Sequence, residues 1–319
     1  MTSIQVSRKA VVALEVVFWL VLGSCYFFFP DRLSLLSQIL IVGLFAVSLD
    51  IALGYAGILT VGHAAFFGAG AYSAGLLARY GWGEPLSGLL FAFLICVALG
   101  WLLSFLIVRG ADLTRLMITI GVTVLLAEAA SQLSSITGGT DGLQGVEVWP
   151  LLGVFRFDLF GRTAFVYSAC VVLAVFVVVR RILESPFGLA LQGIHDSPRR
   201  MQSIGSPVSS RLRGAYTISA GVAGIAGGLL AQTSQFVGIG TLSFERSAEV
   251  LIVLVLGGTG RLYGGLVGAL VYMSIHEWFS DIDPQYWMFW LGMFLITVVL
   301  IGRGGVMGWL SRFVRVARP

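Results

Sequence analysis

Residues 54–72 read GYAGILTVGHAAFFGAGAY. The stretch holds five glycines, one histidine and no Asp, Glu, Lys or Arg. Glycine costs roughly 1 kcal/mol per helix position relative to alanine, so something must offset so many in one place. Two arrangements do so inside a membrane. Small residues let helix backbones approach closely, where lipid supplies no hydrophobic drive between helices. Alternatively, a broken helix frees backbone groups to line a polar path. Gly68, Gly70, Ala64, Ala65, Ala74 and Gly75 suit the first, and Gly54 with Gly57 suits the second.

The rest of the chain supports a membrane setting. Of 319 residues, 57% are apolar and 11% charged, against about 25% charged in soluble domains. The mean hydropathy is +0.93. No polar block is long enough for a soluble domain, so residues 1–319 read as one all-α polytopic transmembrane domain. The net charge is +4, nearly all of it arginine, because Lys9 is the single lysine. Its distribution fits membrane topology and anionic lipid, not nucleic acid. Cys25, Cys96 and Cys170 lie in separate apolar runs and have no metal-binding spacing.

A membrane-crossing helix needs about 20 apolar residues. Ten segments qualify: 10–29, 33–53, 61–79, 86–108, 112–133, 163–183, 214–236, 246–257, 262–280 and 285–302. The eighth is short, so a count of 8–10 spans is expected, with breaks at the glycine-rich stretches. The first is too long for a signal-peptide core and reads as a retained span. With the N-terminus inside, the inner side collects 15 of the 20 basic residues and the outer side 5. The outer five are Arg32, Arg79, Arg156, Arg162 and Arg246. This bias predicts an N-in, C-in topology. The loop at 134–162 then lies outside, and the loop at 184–213 lies in the cytoplasm.

The cytoplasmic loop contains ESPFGLALQGIHDSPRRMQSIG. Ser185 is a good N-cap and Pro186 fits the first helical position. Phe187, Leu191 and Ile194 share one face of the short helix that follows. Ser197–Pro198 repeats the start, and Gly205 suits a left-handed cap. Two short helices with fixed ends either rest on lipid headgroups or form a docking lever for a cytoplasmic partner. On the docking reading, Gly188→Trp or Ile194→Asp should abolish uptake at a normal membrane level.

Chemical motifs are scarce. The phosphate loop GxxxxGK[ST] needs a lysine in a context Lys9 lacks, so the chain is no P-loop ATPase. GxSxG and HExxH are also absent, and an enzyme is not expected. Glu128 stands out within the fifth segment, where burying a charge costs at least ~2.5–3.5 kcal/mol. It is either a structural carboxyl or a functional one. His63 is either a neutral ring fixing a helix start or a polar group facing a path, and Tyr72 carries the same ambiguity. The stretch LGYAG at 53–57 is echoed by LGGTG at 256–260, a weak parallel repeat in a glycine-rich chain.

Four ordered blocks carry a resemblance: GYAGILTVGHAAFFGAGAY, SPFGLALQGIHDSPRRMQSIG, ISAGVAGIAGGLLA at 218–231 and SAEVLIVLVLGGTGRLYGGLVGAL at 247–270. Together the sequence resembles the permease subunits of branched-chain amino acid ABC importers, on the LivM-like side of that family, over roughly residues 40–305. The resemblance implies a subunit of the bacterial plasma (inner) membrane that is not itself an enzyme. It implies a second related permease, forming a heterodimer, two cytoplasmic ATPases that bind ATP and Mg, and an extracytoplasmic solute-binding protein. The chain itself would need no cofactor and no metal. Substrates would be branched-chain amino acids or related small polar solutes such as urea, amides and carboxylates. ATPase coupling would fall to Ser185, Pro186, Phe187, Gly188, Ala190, Leu191, Ile194, Asp196, Arg199, Arg200 and Gly205. The path or its gate would involve Gly54, Gly57, His63, Gly68, Gly70, Tyr72, Glu128, Gly257, Gly258 and Gly260. Two departures stand out. Leu189 and Gln192 occupy positions where the family pattern has a basic residue, and Gly265 replaces a proline. The competing expectation is an ion-coupled carrier that works alone, with Glu128 as its first candidate residue.

Overall fold

The computed structural model describes residues 19–301 and 305–308, except 21, 111, 152, 154, 156 and 158–160. Much of the expected first span, 10–29, lies outside the described residues, as do Arg8, Lys9 and the C-terminal arginines. Each of the other nine segments contains a helix. Among the described residues, β-structure is limited to two isolated bridges. The protein is an all-α polytopic membrane protein.

The helices run α1 (Leu33–Asp50), α2 (Ala64–Arg79), α3 (Pro85–Ile107), α4 (Asp112–Gln132), α5 (Ser134–Thr137) and α6 (Arg162–Glu184). They continue with α7 (Pro186–Asp196), α8 (Pro198–Ser203), α9 (Val208–Ser234), α10 (Phe244–Gly257), α11 (Gly264–Ile282) and α12 (Trp287–Ile301). Five stretches are long and apolar enough to cross a membrane: Pro30–Tyr55, Pro85–Ile107, Leu113–Gln132, Arg162–Glu184 and Val208–Ser234.

From Ile39 to Asp50 helix α1 is buried on every side, as expected of a stretch without a polar face. It packs against α6, α9, α10 and α11. Helix α9 packs against α1, α2 and α3, and small residues make those approaches possible. A side chain at Gly224 would meet Cys96 of α3, and one at Gly227 would meet the α2 backbone at Phe67 and Ala71. Helices α3 and α4 keep broad apolar faces exposed, including Leu90, Trp101, Leu102, Leu113, Met117 and Leu125. Such faces suit lipid or another subunit.

Two helices are short because the chain enters the bundle before they begin. After α1, a π-turn at Ile51–Tyr55 ends the descent. The chain then doubles back through Ile58 and Thr60, both buried, before α2 starts. Helix α2 has 16 residues, or roughly 24 Å at 1.5 Å per residue, which is less than the ~30 Å hydrocarbon layer. On the other side, residues 235–243 dip inward after α9. Val237 forms an antiparallel bridge with Leu143, and Leu242 is buried against Gly68. Helix α10, of 14 residues, therefore starts with Phe244 and Glu245 exposed and buries Ser247 in the bundle within its first turn. The starts of α2 and α10 meet there, the Ala64 N–H donating to Ser247 Oγ at 2.9 Å.

Candidate functional site

His63 anchors the start of α2. Its Nε2 lies 3.1 Å from Ser48 Oγ of α1 and 3.2 Å from Ser219 Oγ of α9. The Ser48 hydroxyl donates to the Phe45 carbonyl at 2.6 Å, and the Ser219 hydroxyl donates to the Ser48 carbonyl at 2.5 Å. Each hydroxyl has one proton, already given, so both oxygens accept from His63 Nε2–H. The network assigns the Nε2–H tautomer. The ring stacks on Phe45 and meets Phe66 edge-on. At 1% exposure it is a three-helix tie. Tyr72 is also buried, and its hydroxyl has no protein partner.

The two glycine breaks echoed in the sequence come together. Asp50, 1% exposed at the end of α1, accepts the Gly260 N–H on Oδ1 at 2.7 Å. Gly54 sits against this contact, since a side chain there would run into Asp50 Oδ1 and the Gly260 backbone. Gly257 and Gly258 close α10, and their backbones abut Gly264 at the start of α11. Gly68 and Gly70 play a packing part: Gly70 rests on the α9 backbone at Gly224, and Gly68 rests on Leu242. The glycine at 265 also has a visible reason. An added Cβ would lie 2.7 Å from the Val47 nitrogen of α1, so a proline ring would push α1 away.

Helices α7 and α8 sit beneath the breaks. The Ser185 side chain accepts from Phe187 N, and the Ser197 side chain accepts from Arg200 N, as the cap pattern predicts. Gly205 has φ +80°, the left-handed turn expected of it. Gly57 has φ +68°, and a Cβ there would lie 2.6 Å from His195 Cδ2. Helix α7 therefore touches the α1–α2 break directly. Leu53, Gly54, Gln192, His195, Asp196 and Thr259 line a cavity of about 590 Å³ between them.

The structure divides the expected coupling residues into two faces. Gly188, Leu191 and Ile194 are buried against the bundle. Pro186, Asp196, Arg199, Arg200 and Gly205 are exposed, while Ser185, Phe187 and Ala190 are intermediate. Leu189 at 63% and Ile204 at 75% exposure are the large apolar residues on the outer side. A side chain at Gly188 would collide with the Leu183 backbone. Gly188→Trp and Ile194→Asp would therefore also strike the internal packing, so neither substitution isolates partner docking. Glu128 also differs from its expected setting. It is exposed one turn from the end of α4 and accepts from Gln132 Nε2 at 2.7 Å.

Sequence reasoning counted Glu249 among the few ionisable residues near predicted helix ends but selected neither it nor Arg246 for the site; the two pair at 2.6 Å. It placed Arg246 at an outer surface because the segment was expected to begin there. The inward dip of 235–243 carries both residues into the bundle. An Arg and a Glu one turn apart in an apolar helix were the available signal.

A family model described as "Branched-chain amino acid transport system / permease component" matches residues 32–315. The chain is 28% identical to the high-affinity branched-chain amino acid transport system permease protein LivM of Salmonella typhimurium, covering 80% of this chain and 64% of that protein. It is 29% identical to the LivM protein of Escherichia coli, covering 85% of this chain and 68% of that protein. The chain thus spans about two-thirds of the length of these relatives. No solved structure matches it significantly. The described helices, their small-residue crossings and the match over most of the length agree: the chain belongs to the family of branched-chain amino acid transport permease components, multi-pass proteins of the bacterial inner membrane.

Proposed function

We propose that this chain is one permease subunit of an ATP-driven ABC importer for branched-chain amino acids or related small polar solutes, among them urea, amides and carboxylates. A second related permease completes the path. Two cytoplasmic ATPases bind ATP and Mg, and an extracytoplasmic protein delivers the solute. The observation that carries this reading is the α7–α8 pair. It is rigidly capped, seated on the bundle by Leu191 and Ile194, and in contact with the Gly57 break through His195. Its outer side presents Leu189, Arg199, Arg200 and Ile204 to a partner. A push on that side would reach the two glycine breaks without passing through a flexible loop.

The carrier alternative draws less support. Its leading residue, Glu128, lies exposed near a helix end and is hydrogen-bonded to Gln132. Mild-detergent purification from native membranes, with mass spectrometry and an ATP hydrolysis assay, tests the choice. Two ATPase chains and a second permease are expected to accompany the tagged chain. A lone chain that moves solute in vesicles under an ion gradient would overturn the reading.

A further inference from the structure

Arg246 and Glu249 lie one turn apart near the start of α10, their side chains 24% exposed each and 2.6 Å apart. Their depth follows from their neighbours. Ser247, between them, bonds the start of α2 beside His63, and His63 in turn bonds Ser219. Ser219 is the twelfth of the 27 residues of α9, close to its middle. The Arg246 guanidinium lies over an aromatic face, 5.5 Å from the centre of the Phe67 ring. A charge pair at mid-depth in apolar helices is expensive and marks a functional position by default.

The pair faces a cavity of about 710 Å³ between α10, α11 and α12. Tyr272 and His276 stand on its α11 wall, and Phe244, Ile252, Trp287 and Met288 make it largely apolar. We propose that this cavity is a binding site on the transport path for a zwitterionic aliphatic amino acid. The carboxylate of the solute binds Arg246, its ammonium binds Glu249, and its side chain lies among the apolar residues. Glu245 also lines the cavity but stays exposed. At the half-buried Arg246–Glu249 pair a zwitterion replaces one neutral charge arrangement with another, so the pair gains no net charge on binding. An anion or cation of the same shape leaves one partner unmatched, which is costly away from water. The inference rests on the importer reading and narrows its solutes to zwitterions over urea, amides and simple carboxylates.

The test uses the purified complete transporter without its binding protein. Ligand-observed NMR measures binding of leucine, with leucinamide and 4-methylpentanoate as the cationic and anionic analogues. In the wild type, leucine is expected to bind and neither analogue to displace it. Glu249→Gln should shift preference toward 4-methylpentanoate, and Arg246→Gln toward leucinamide, each by about tenfold or more, the scale of one charge-assisted hydrogen bond. The double variant Arg246→Gln/Glu249→Gln removes both charges without orphaning either. It should assemble and hydrolyse ATP normally yet lose leucine binding and uptake. A purely structural ion pair would leave the charge preference unchanged in the single variants. That result, wild-type uptake in the double variant, or no leucine binding by the wild-type transporter would overturn the site. A complex that still holds its ATPases and imports solute would leave the importer reading standing in each case.

Discussion

At the scale of single residues, His63 and Gly57 make opposite demands. His63 ties α1, α2 and α9 through two serine hydroxyls and is buried away from any cavity described above. His63→Leu removes the shared donor and is expected to lower stability by about 1–3 kcal/mol, the usual loss for a buried hydrogen-bonded group. Thermal unfolding of the purified transporter should show the drop, with KM for uptake unchanged among the molecules that fold. A changed KM with unaltered melting would put the ring on the path. Gly57 instead needs its left-handed backbone, which costs other residues roughly 1–2 kcal/mol, and it also needs the space beside His195. Gly57→Leu should therefore reduce uptake severely, because it forces α7 away from the break. Wild-type uptake would show that the contact transmits nothing. Both positions stood out in the sequence as glycine and histidine out of place. Their partners did not, since Ser219 and His195 lie more than a hundred residues away along the chain.

At the scale of elements, the α7–α8 pair separates docking from folding. Its buried side, Leu191 and Ile194, packs into the bundle, whereas Leu189 and Ile204 point away from it. Ile194→Asp places a carboxylate in packed apolar surroundings and should lower the membrane level of the protein. Leu189→Asp should leave that level normal while the ATPases no longer co-purify. Equal losses of membrane level in both variants would remove the distinction between the two faces. Helix caps here were legible because they depend on neighbours in sequence: Ser185–Pro186 and Ser197–Pro198 begin helices where their local chemistry says they should. The facing of α7 was only half legible. Periodicity groups Leu191 and Ile194 on one side but does not say whether that side meets the bundle or a partner. The depth of α10 was not legible at all. It depends on the bridge between Leu143 and Val237, a pairing of two distant loops that no local pattern announces.

At the scale of the whole molecule, the loops sort to two ends. The ends of α2, α4 and α9 share one end with the loop that follows α5. There the Arg79 guanidinium donates to the Ile136 carbonyl, the Trp149 N–H donates to the Gly83 carbonyl, and Leu143 pairs with Val237. The π-turn, the 257–260 break, α7 and α8 gather at the opposite end. Among the described residues, Arg109, Arg115, Arg180, Arg181, Arg199, Arg200, Arg211, Arg213 and Arg261 belong to that second end, against Arg32, Arg79 and Arg162 at the first. Moving Arg246 from the outer surface into the bundle strengthens this asymmetry, because it removes a charge that counted against it. The positive-inside bias then predicts that α7 and α8 face the cytoplasm. Gln144 and Gln202 are exposed at the two ends and suit a direct test by cysteine substitution. With Cys25 and Cys170 replaced, a membrane-impermeant maleimide should label Gln144→Cys from the outer side of the inner membrane in cells with a permeabilised outer membrane. It should label Gln202→Cys only in inverted vesicles. The reverse pattern would turn the molecule over and leave α7 and α8 unable to meet cytoplasmic ATPases. Labelling of both from one side would mean that the two clusters of loops do not lie across a membrane from each other.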